Sequence, residues 1–362
     1  MRSTPARPDP TNQMRSEDGM STARWQVRPS GSTWGDWGPD DQLGRLNLLT
    51  PEIVRRAADE VQEGRAFSLS LPLDLPGGTV LNPNRRPPVI RPTYDADGPR
   101  YNLPWSRTDP RFVDVSSDDV VELTLQYSTQ WDSFAHVGAY FDVDASGTEV
   151  PVYYNGFRAG VDVLGPEDLP AEGGPRSFAR RLSVDTFAAA PVQGRGVLID
   201  LYHHLGDEFQ KVDHATLESV MRADGVEVEP GDIVLLRTGF ADRILEAAAG
   251  GRSIDLHRTC SVLDGSDQRL LDWIADSGIV AIAADNYAVE TFDIPRDSQR
   301  QPSMPIHHLC LFKLGVLLGE MWSYGELAAA LRSAGRTRCF VTAPPLRLPG
   351  AVGSPANGVA TI

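Results

Sequence analysis

Gly196-Val-Leu-Ile-Asp-Leu-Tyr202, His214–Ala223 and Ile233-Val-Leu-Leu-Arg-Thr238, read together, decide the fold. The two outer pieces are short apolar runs rich in β-branched residues, and the second is introduced by the turn Pro230-Gly231-Asp232. Such runs read as buried strands, and the piece between them reads as a helix. The alternation continues downstream. Ser266 or Asp267 caps a helix that ends near Gly278, and Ile279-Val-Ala-Ile-Ala-Ala284 is another buried strand. Ser323 and Glu326 have capping-box spacing for a helix through Ala334, and Arg338–Thr342 reads as a closing strand. Upstream, Thr50 is an N-cap with Pro51 at the first helical position, and Gly64 sits where a C-cap glycine belongs. These signals predict a single α/β domain with irregular, loop-rich additions in the first 120 residues.

The 362 residues include 34 Lys and Arg against 49 Asp and Glu, a formal net charge of −15. That field repels phosphate backbones and anionic lipid, so nucleic acid and membrane surfaces are poor partners. Cys260, Cys310 and Cys339 are far apart and lie in no CxxC pair, which argues against a disulfide framework and points to the cytoplasm. No apolar run approaches the roughly 18 residues needed to span a bilayer. Residues 1–28 read as a disordered lead-in. The Pro/Gly/Arg-rich stretch 75–111 reads as a long functional loop, and its Asn84-Arg85-Arg86 can contact an anionic substrate or simply be solvated. There is no GxSxG, Walker A or GxGxxG in a strand–helix context, so serine esterases and nucleotide binders find no support.

The candidate chemistry begins at Val121-Glu-Leu-Thr-Leu-Gln-Tyr-Ser-Thr-Gln-Trp-Asp132-Ser-Phe-Ala-His136. Strict alternation predicts one strand over 121–132, with Thr124, Gln126, Ser128, Gln130 and Asp132 on a single face. A row of amides ending in a carboxylate suits the lining of a polar site. Asp132 or Ser133 then caps a helical turn that brings His136 back over Asp132. Glu320 closes the apolar run Leu314–Gly319, an expensive place for a carboxylate unless it is paired or binds a cation. His308 lies twelve residues before it, with His307 alongside. Trp34, Trp37 and Trp131 are candidates for stacking on an aromatic substrate. Asp285, with Asn286 and Glu290, follows the strand Ile279–Ala284, at the strand end where α/β sheets bind ligands. His203 and His204 end a strand, so at most one faces a site.

These residues resemble the cyclase family of metal-dependent hydrolases, which includes kynurenine formamidases and isatin hydrolases, and within it a larger branch carrying TQWDxxxH. The family pattern HxGTHxDxPxH falls on Gln126, Ser128, Thr129, Gln130, Asp132, Phe134 and His136, and its downstream His and Glu fall on His308 and Glu320. Trp34–Leu49, Pro230–Gly239, Ala284–Glu290 and Pro345–Ala356 are similar too, so the resemblance spans about residues 30 to 356. It implies a swivelling β/β/α-type fold over 29–362, usually assembled as a homodimer or homotetramer. It also implies a divalent metal, Mn²⁺ or Zn²⁺, held by Asp132, His308 and Glu320, with His136 as general base and acid. The two leading family histidines are Gln126 and Gln130 here, and an amide oxygen suits Mn²⁺, Mg²⁺ or Ca²⁺ better than Zn²⁺. Three outcomes follow: a weaker oxygen-rich metal site, a metal displaced toward Asp132, His308 and Glu320, or no metal. With metal, the expected reaction is hydrolysis of an amide, imide or lactone in a small cyclic or aromatic molecule. Without it, His136 with Asp132 or Glu320 is an acid–base pair for cyclisation or dehydration. A small-molecule binding protein on a decayed scaffold is the third class.

Overall fold

The computed structural model describes residues 24–170, 173–250, 254–294 and 300–362. Its centre is a nine-stranded mixed sheet. In chain order the strands are β1 (Ala66–Ser68), β2 (Gln130–Asp132), β3 (Gln193–Asp200), β4 (Ile233–Arg237), β5 (Ala281–Ala284), β6 (Leu317–Glu320), β7 (Arg338–Thr342), β8 (Gly353–Pro355) and β9 (Val359–Thr361). Their spatial order is β1-β9-β7-β3-β4-β5-β6-β2-β8. The inner strands β3, β4, β5 and β6 run parallel, and the flanking strands pair antiparallel.

The parallel strands are near-continuous apolar runs because helices cover both faces of such a sheet. Every residue of β5 and β6 is buried. The helix His214–Asp224, between β3 and β4 in the chain, is capped by Asp213 accepting from Thr216 N, and it ends on Gly225 at φ 64°. Gln268–Asp276 is capped by Asp267, and Pro51–Ala57 by Thr50 with Pro51 at its first position. The predicted α/β class and these elements therefore stand. No helix among the described residues is long and apolar enough to cross a membrane.

Several sequence expectations change. The 121–132 segment is two strands, not one. Asp119–Glu122 pairs with Val89–Pro92, the chain turns at Thr124–Tyr127, and only Gln130–Asp132 joins the main sheet. Thr124 Oγ1 accepts from Arg86 N and the Gln126 carbonyl accepts from Arg85, and these contacts hold the turn. The 75–111 stretch is partly paired rather than plain loop, since Leu103–Pro104 also meets Val115–Ser116. Together these pairs make an exposed arm. Ser323 and Glu326 form no capping box: the helix begins at Gly325, and Ser323 N is drawn to Leu69 O at 2.9 Å. Gly64 lies beyond its helix, which tightens into a 3₁₀ turn after Ala57. His203 and His204 sit on a short helix, Leu201–Leu205, because Asp200 ends the strand and caps it; His204 pairs with Asp224 at 2.9 Å. Of the predicted lead-in, residues 1–23 lie outside the described residues. Residues 24–28 are held in place, Trp25 against Trp34 and Gln26 N on Val143 O.

Candidate functional site

The site is built on the antiparallel pair β2–β6. Register places Gln130 opposite Glu320 and Asp132 opposite Leu318, so the side chains of Gln130, Asp132 and Glu320 share one face. Trp131, between them in sequence, points to the other face. Its indole packs on Trp322 with ring centroids 4.7 Å apart, and its Nε1 donates to Ala343 O. Gly319 opposite Trp131 has no room for a side chain, because a Cβ there would lie 2.5 Å from Trp322 Nε1. Behind the polar face the sheet is thus locked by two tryptophans.

Gln130 Nε2 donates to Asp132 Oδ1 at 3.2 Å and to Glu320 Oε2 at 3.3 Å. The histidine that reaches this pair is His307, whose Nε2 lies 3.4 Å from Glu320 Oε1. Its Nδ1 is 2.8 Å from Glu290 Oε1, and Glu290 also accepts from the backbone N–H of Ile306 and His307. Glu290 thereby fixes the ring with Nε2 turned toward the carboxylates. Two buried non-glycine residues, Ala288 (φ 69°) and Val289 (φ 60°), hold left-handed backbone just before it. For a β-branched residue that conformation costs on the order of 1–3 kcal/mol, a strain typical of functional sites.

Candidate ligand atoms of Asp132, His307 and Glu320 all lie within 4.8 Å of one another, and all three residues are buried. Two buried oxygens on these strand residues, Gln130 Oε1 and Asp132 Oδ2, have no hydrogen-bond partner among the described residues. Leaving a buried acceptor unpaired costs roughly 1–3 kcal/mol. A divalent cation fits this observation: it would meet two carboxylates, an imidazole whose far nitrogen is already oriented by a carboxylate and, with the Gln130 amide turned over from its present bonds, an amide oxygen.

Electrostatics follow from burial and neighbours. Burial pushes the Asp132 carboxyl up, and the nearby Glu320 charge adds to it while His136 opposes. Burial also works to raise Glu320, but His307 and Arg85 outweigh it and hold that carboxyl below its ordinary range. For His307 burial favours the neutral ring, yet the Glu290 and Glu320 carboxylates push it up to about 10. His136 stands at the edge of the cluster, its Nε2 3.9 Å from Asp132 Oδ1 and its side chain 22% exposed. Of the two expected caps, Ser133 rather than Asp132 serves, accepting from Ala135 N, and the segment is a tight turn closed by His136 N on Ser133 O, not a helical one.

The other predicted residues are distributed differently. His308 does not join Asp132 and Glu320. Adjacent helical positions point about 100° apart, and His308 instead lies against Phe312, 4.9 Å between ring centroids. It lines a separate cavity of about 600 Å³ with Tyr140, Phe141 and Lys313, and burial with the Lys313 charge lowers it to about 4. Gln126 has left the strand; its amide lies over Gly353, the β8 partner of Asp132, near the site but outside the cluster of carboxylates. Trp34 is a core residue whose Nε1 donates to Phe312 O, and Trp131 is buried on the far face, so neither stacks on a substrate. Trp37 is half-buried. Asp285 is also internal. It accepts from Thr238 N, Thr238 Oγ1 and Gly239 N, joining the ends of β4 and β5, while burial pushes its carboxyl up to about 7.

Three residues at the site are named in the sequence without the contacts that the structure gives them. His307 was masked by its neighbour, since two adjacent histidines give no sign of which faces inward. Glu290 carried one usable signal, a carboxylate just beyond a buried strand. Arg85 carried none beyond its place in a basic loop. Its Nη1 lies 3.7 Å from Glu320 Oε2 and donates to the Gln126 carbonyl.

Residues 67–291 match the family described as "Putative cyclase". This chain belongs to the cyclase family. Among solved structures it is similar to one titled a novel cyclase, at 30% identity and a TM-score of 0.69 over 91% of this chain and 97% of that one. Isatin hydrolase A from Labrenzia aggregata shares the fold at 14% identity, with a TM-score of 0.52 over 84% of this chain and 94% of the other. Isatin hydrolase A from Ralstonia solanacearum does so at 17%, with a TM-score of 0.51 over 86% and 98%. No curated protein matches the chain. Membership of the cyclase family makes the chain an enzyme and agrees with the α/β fold read from its sequence.

Proposed function

We propose that this cyclase-family enzyme is a metal-dependent hydrolase that opens an amide, imide or lactone of a small cyclic or aromatic molecule. The reading rests on one observation, the unpartnered buried oxygens Gln130 Oε1 and Asp132 Oδ2 on strand residues beside His307 and Glu320. Asp132, Glu320 and His307, the last after giving up the proton its carboxylate neighbours favour, would hold the cation, with Gln130 contributing its amide oxygen once the amide turns over, since Nε2 now faces the carboxylates. This oxygen-rich set favours Mn²⁺ over Zn²⁺. When bound, the cation supplies Lewis acidity toward a water molecule and the substrate carbonyl.

The chain's own groups do the rest. His136 is the partly exposed base at the edge of the cluster. It takes the proton from the attacking water and returns it to the departing nitrogen or oxygen. Asp132, within 3.9 Å, steadies the imidazolium formed in between. Glu290 holds His307 by its Nδ1 so that the ring cannot swing away from Glu320.

Elemental analysis of protein purified without chelator tests the proposal, with Asp132→Ala as control. About one Mn or Zn per chain, lost in the variant, is the expected result. His136→Gln should keep the metal and lose roughly 100- to 10,000-fold in turnover of lactones, imides or formamides. A chain that stays empty after incubation with Mn²⁺ and with Zn²⁺ overturns the hydrolase reading and leaves His136 as an acid–base catalyst of cyclisation or dehydration.

A further inference from the structure

The Asn82–Arg86 segment of the first loop is anchored at several points over the cluster. Asn82 donates to the Tyr287 hydroxyl at 3.3 Å, Arg85 N bonds Asn82 O, and Arg86 N bonds Thr124 Oγ1. These contacts fix the backbone that carries Arg85, and the bond from its Nη1 to the Gln126 carbonyl holds the side chain. Its guanidinium lies 5.5 Å from the centre of the Tyr287 ring. Nη1 is committed to the Gln126 carbonyl at 2.8 Å, while 3.7 Å to Glu320 is too long for a hydrogen bond. Nε and Nη2 have no hydrogen-bond partner among the described residues, and the side chain keeps 18% of its exposure. Arg86, next in sequence, is exposed.

The charge balance makes this arginine more than a neutraliser. Three carboxylates, Asp132, Glu290 and Glu320, converge here around His307, whose single positive charge offsets only one of them, so the cluster still disfavours an approaching anion. Ester or amide hydrolysis nevertheless ends in a carboxylate. A fixed guanidinium with unused donors at the rim suits an oxygen anion, which it can meet with two N–H groups at once. We infer that Arg85 is the residue that binds the carboxylate formed from the reacting acyl group, holding it at the rim of the site and away from Asp132 and Glu320. The inference deepens the hydrolase reading and rests on it for the identity of the acyl group.

Calorimetric titration of the full-length protein with benzoate, with and without Mn²⁺, tests it. Arg85→Met, Arg85→Lys and Arg86→Met are compared with the unaltered chain, and Mn²⁺ affinity is measured separately in each. Arg85→Met is expected to weaken benzoate about 10-fold or more. Arg85→Lys should restore part of the loss, and Arg86→Met should match the unaltered chain. Mn²⁺ should bind Arg85→Met as tightly as before or more tightly, because a positive charge near Glu320 has been removed. Equal benzoate binding by Arg85→Met and the unaltered chain, or none by the unaltered chain in either state, overturns the inference. So does a parallel loss of Mn²⁺ and benzoate in Arg85→Met, which would make Arg85 a structural support of Glu320. Failure of Mn²⁺ to bind the unaltered chain strikes the hydrolase reading alone, since Arg85-dependent benzoate binding is read independently.

Discussion

The strand Gln130–Asp132 and the ribbon strand Asp119–Glu122 are separated only by residues 123–129, yet they meet opposite fates. In the first every residue is buried, including an amide and a carboxylate. In the second every residue is exposed, including Val120 and Val121. Much of the arm is like this: Ile90, Tyr94, Val113 and Val115 are all more than half exposed. Polar side chains lie inside and apolar ones outside, the reverse of the usual partition. The buried polar groups are tolerated because they bond one another and present oxygens suited to a cation. The exposed apolar groups lie on a two-stranded ribbon with no second layer over them among the described residues.

The contrast can be tested from the inside outward. Trp131→Ala removes a fully buried indole that backs the polar face, and it should cost about 3–5 kcal/mol in urea unfolding. A cost under about 1 kcal/mol would show that the tryptophan pair is not what holds β2 and β6 together. Glu290→Gln keeps the size of the side chain and removes the charge behind His307. Metal affinity should fall about 10- to 100-fold in a competition assay, with the melting temperature of the metal-free chain used to separate folding from binding. Unchanged affinity would mean that His307 is oriented by packing alone. Ile90→Ser on the arm should change stability by less than about 0.5 kcal/mol. A loss well above that would show that the ribbon face is covered in solution, and the contrast between the two strands would then vanish.

Legibility divided along the same line. Val197, Ile233 to Leu236 and Ala281 to Ala284 were readable as strands because a run apolar on both faces has few other ways to be buried. His136 was readable because a capped turn fixes the i, i+4 geometry locally, and the 3.9 Å approach to Asp132 agrees with it. His307 was not, because adjacent helical residues differ only in azimuth, and that is set by how Met304–Leu314 docks against Glu290. Trp34 and Trp131 illustrate the same limit from the other side: an aromatic ring packs equally well on a ligand or on another ring. The alternation of 121–132 misled for a further reason, since period two is shared by a strand in the sheet and one in an exposed ribbon.

By itself, then, the sequence determined the α/β class, the order of most strands and helices from Gly196 onward though not the strand Leu317–Glu320 or the helix Phe240–Gly250, the family pattern, and the presence of Asp132, His136 and Glu320 as candidate chemistry. These depend on periodicity, capping and residue type, which are local. The tertiary structure alone decided that His307 rather than His308 meets Glu320, that Glu290 stands behind it, and that Arg85 reaches back from the loop. Each of those contacts joins residues far apart in the chain. The register of β2 on β6 and the docking of one short helix determine them, and neither is set by any single segment.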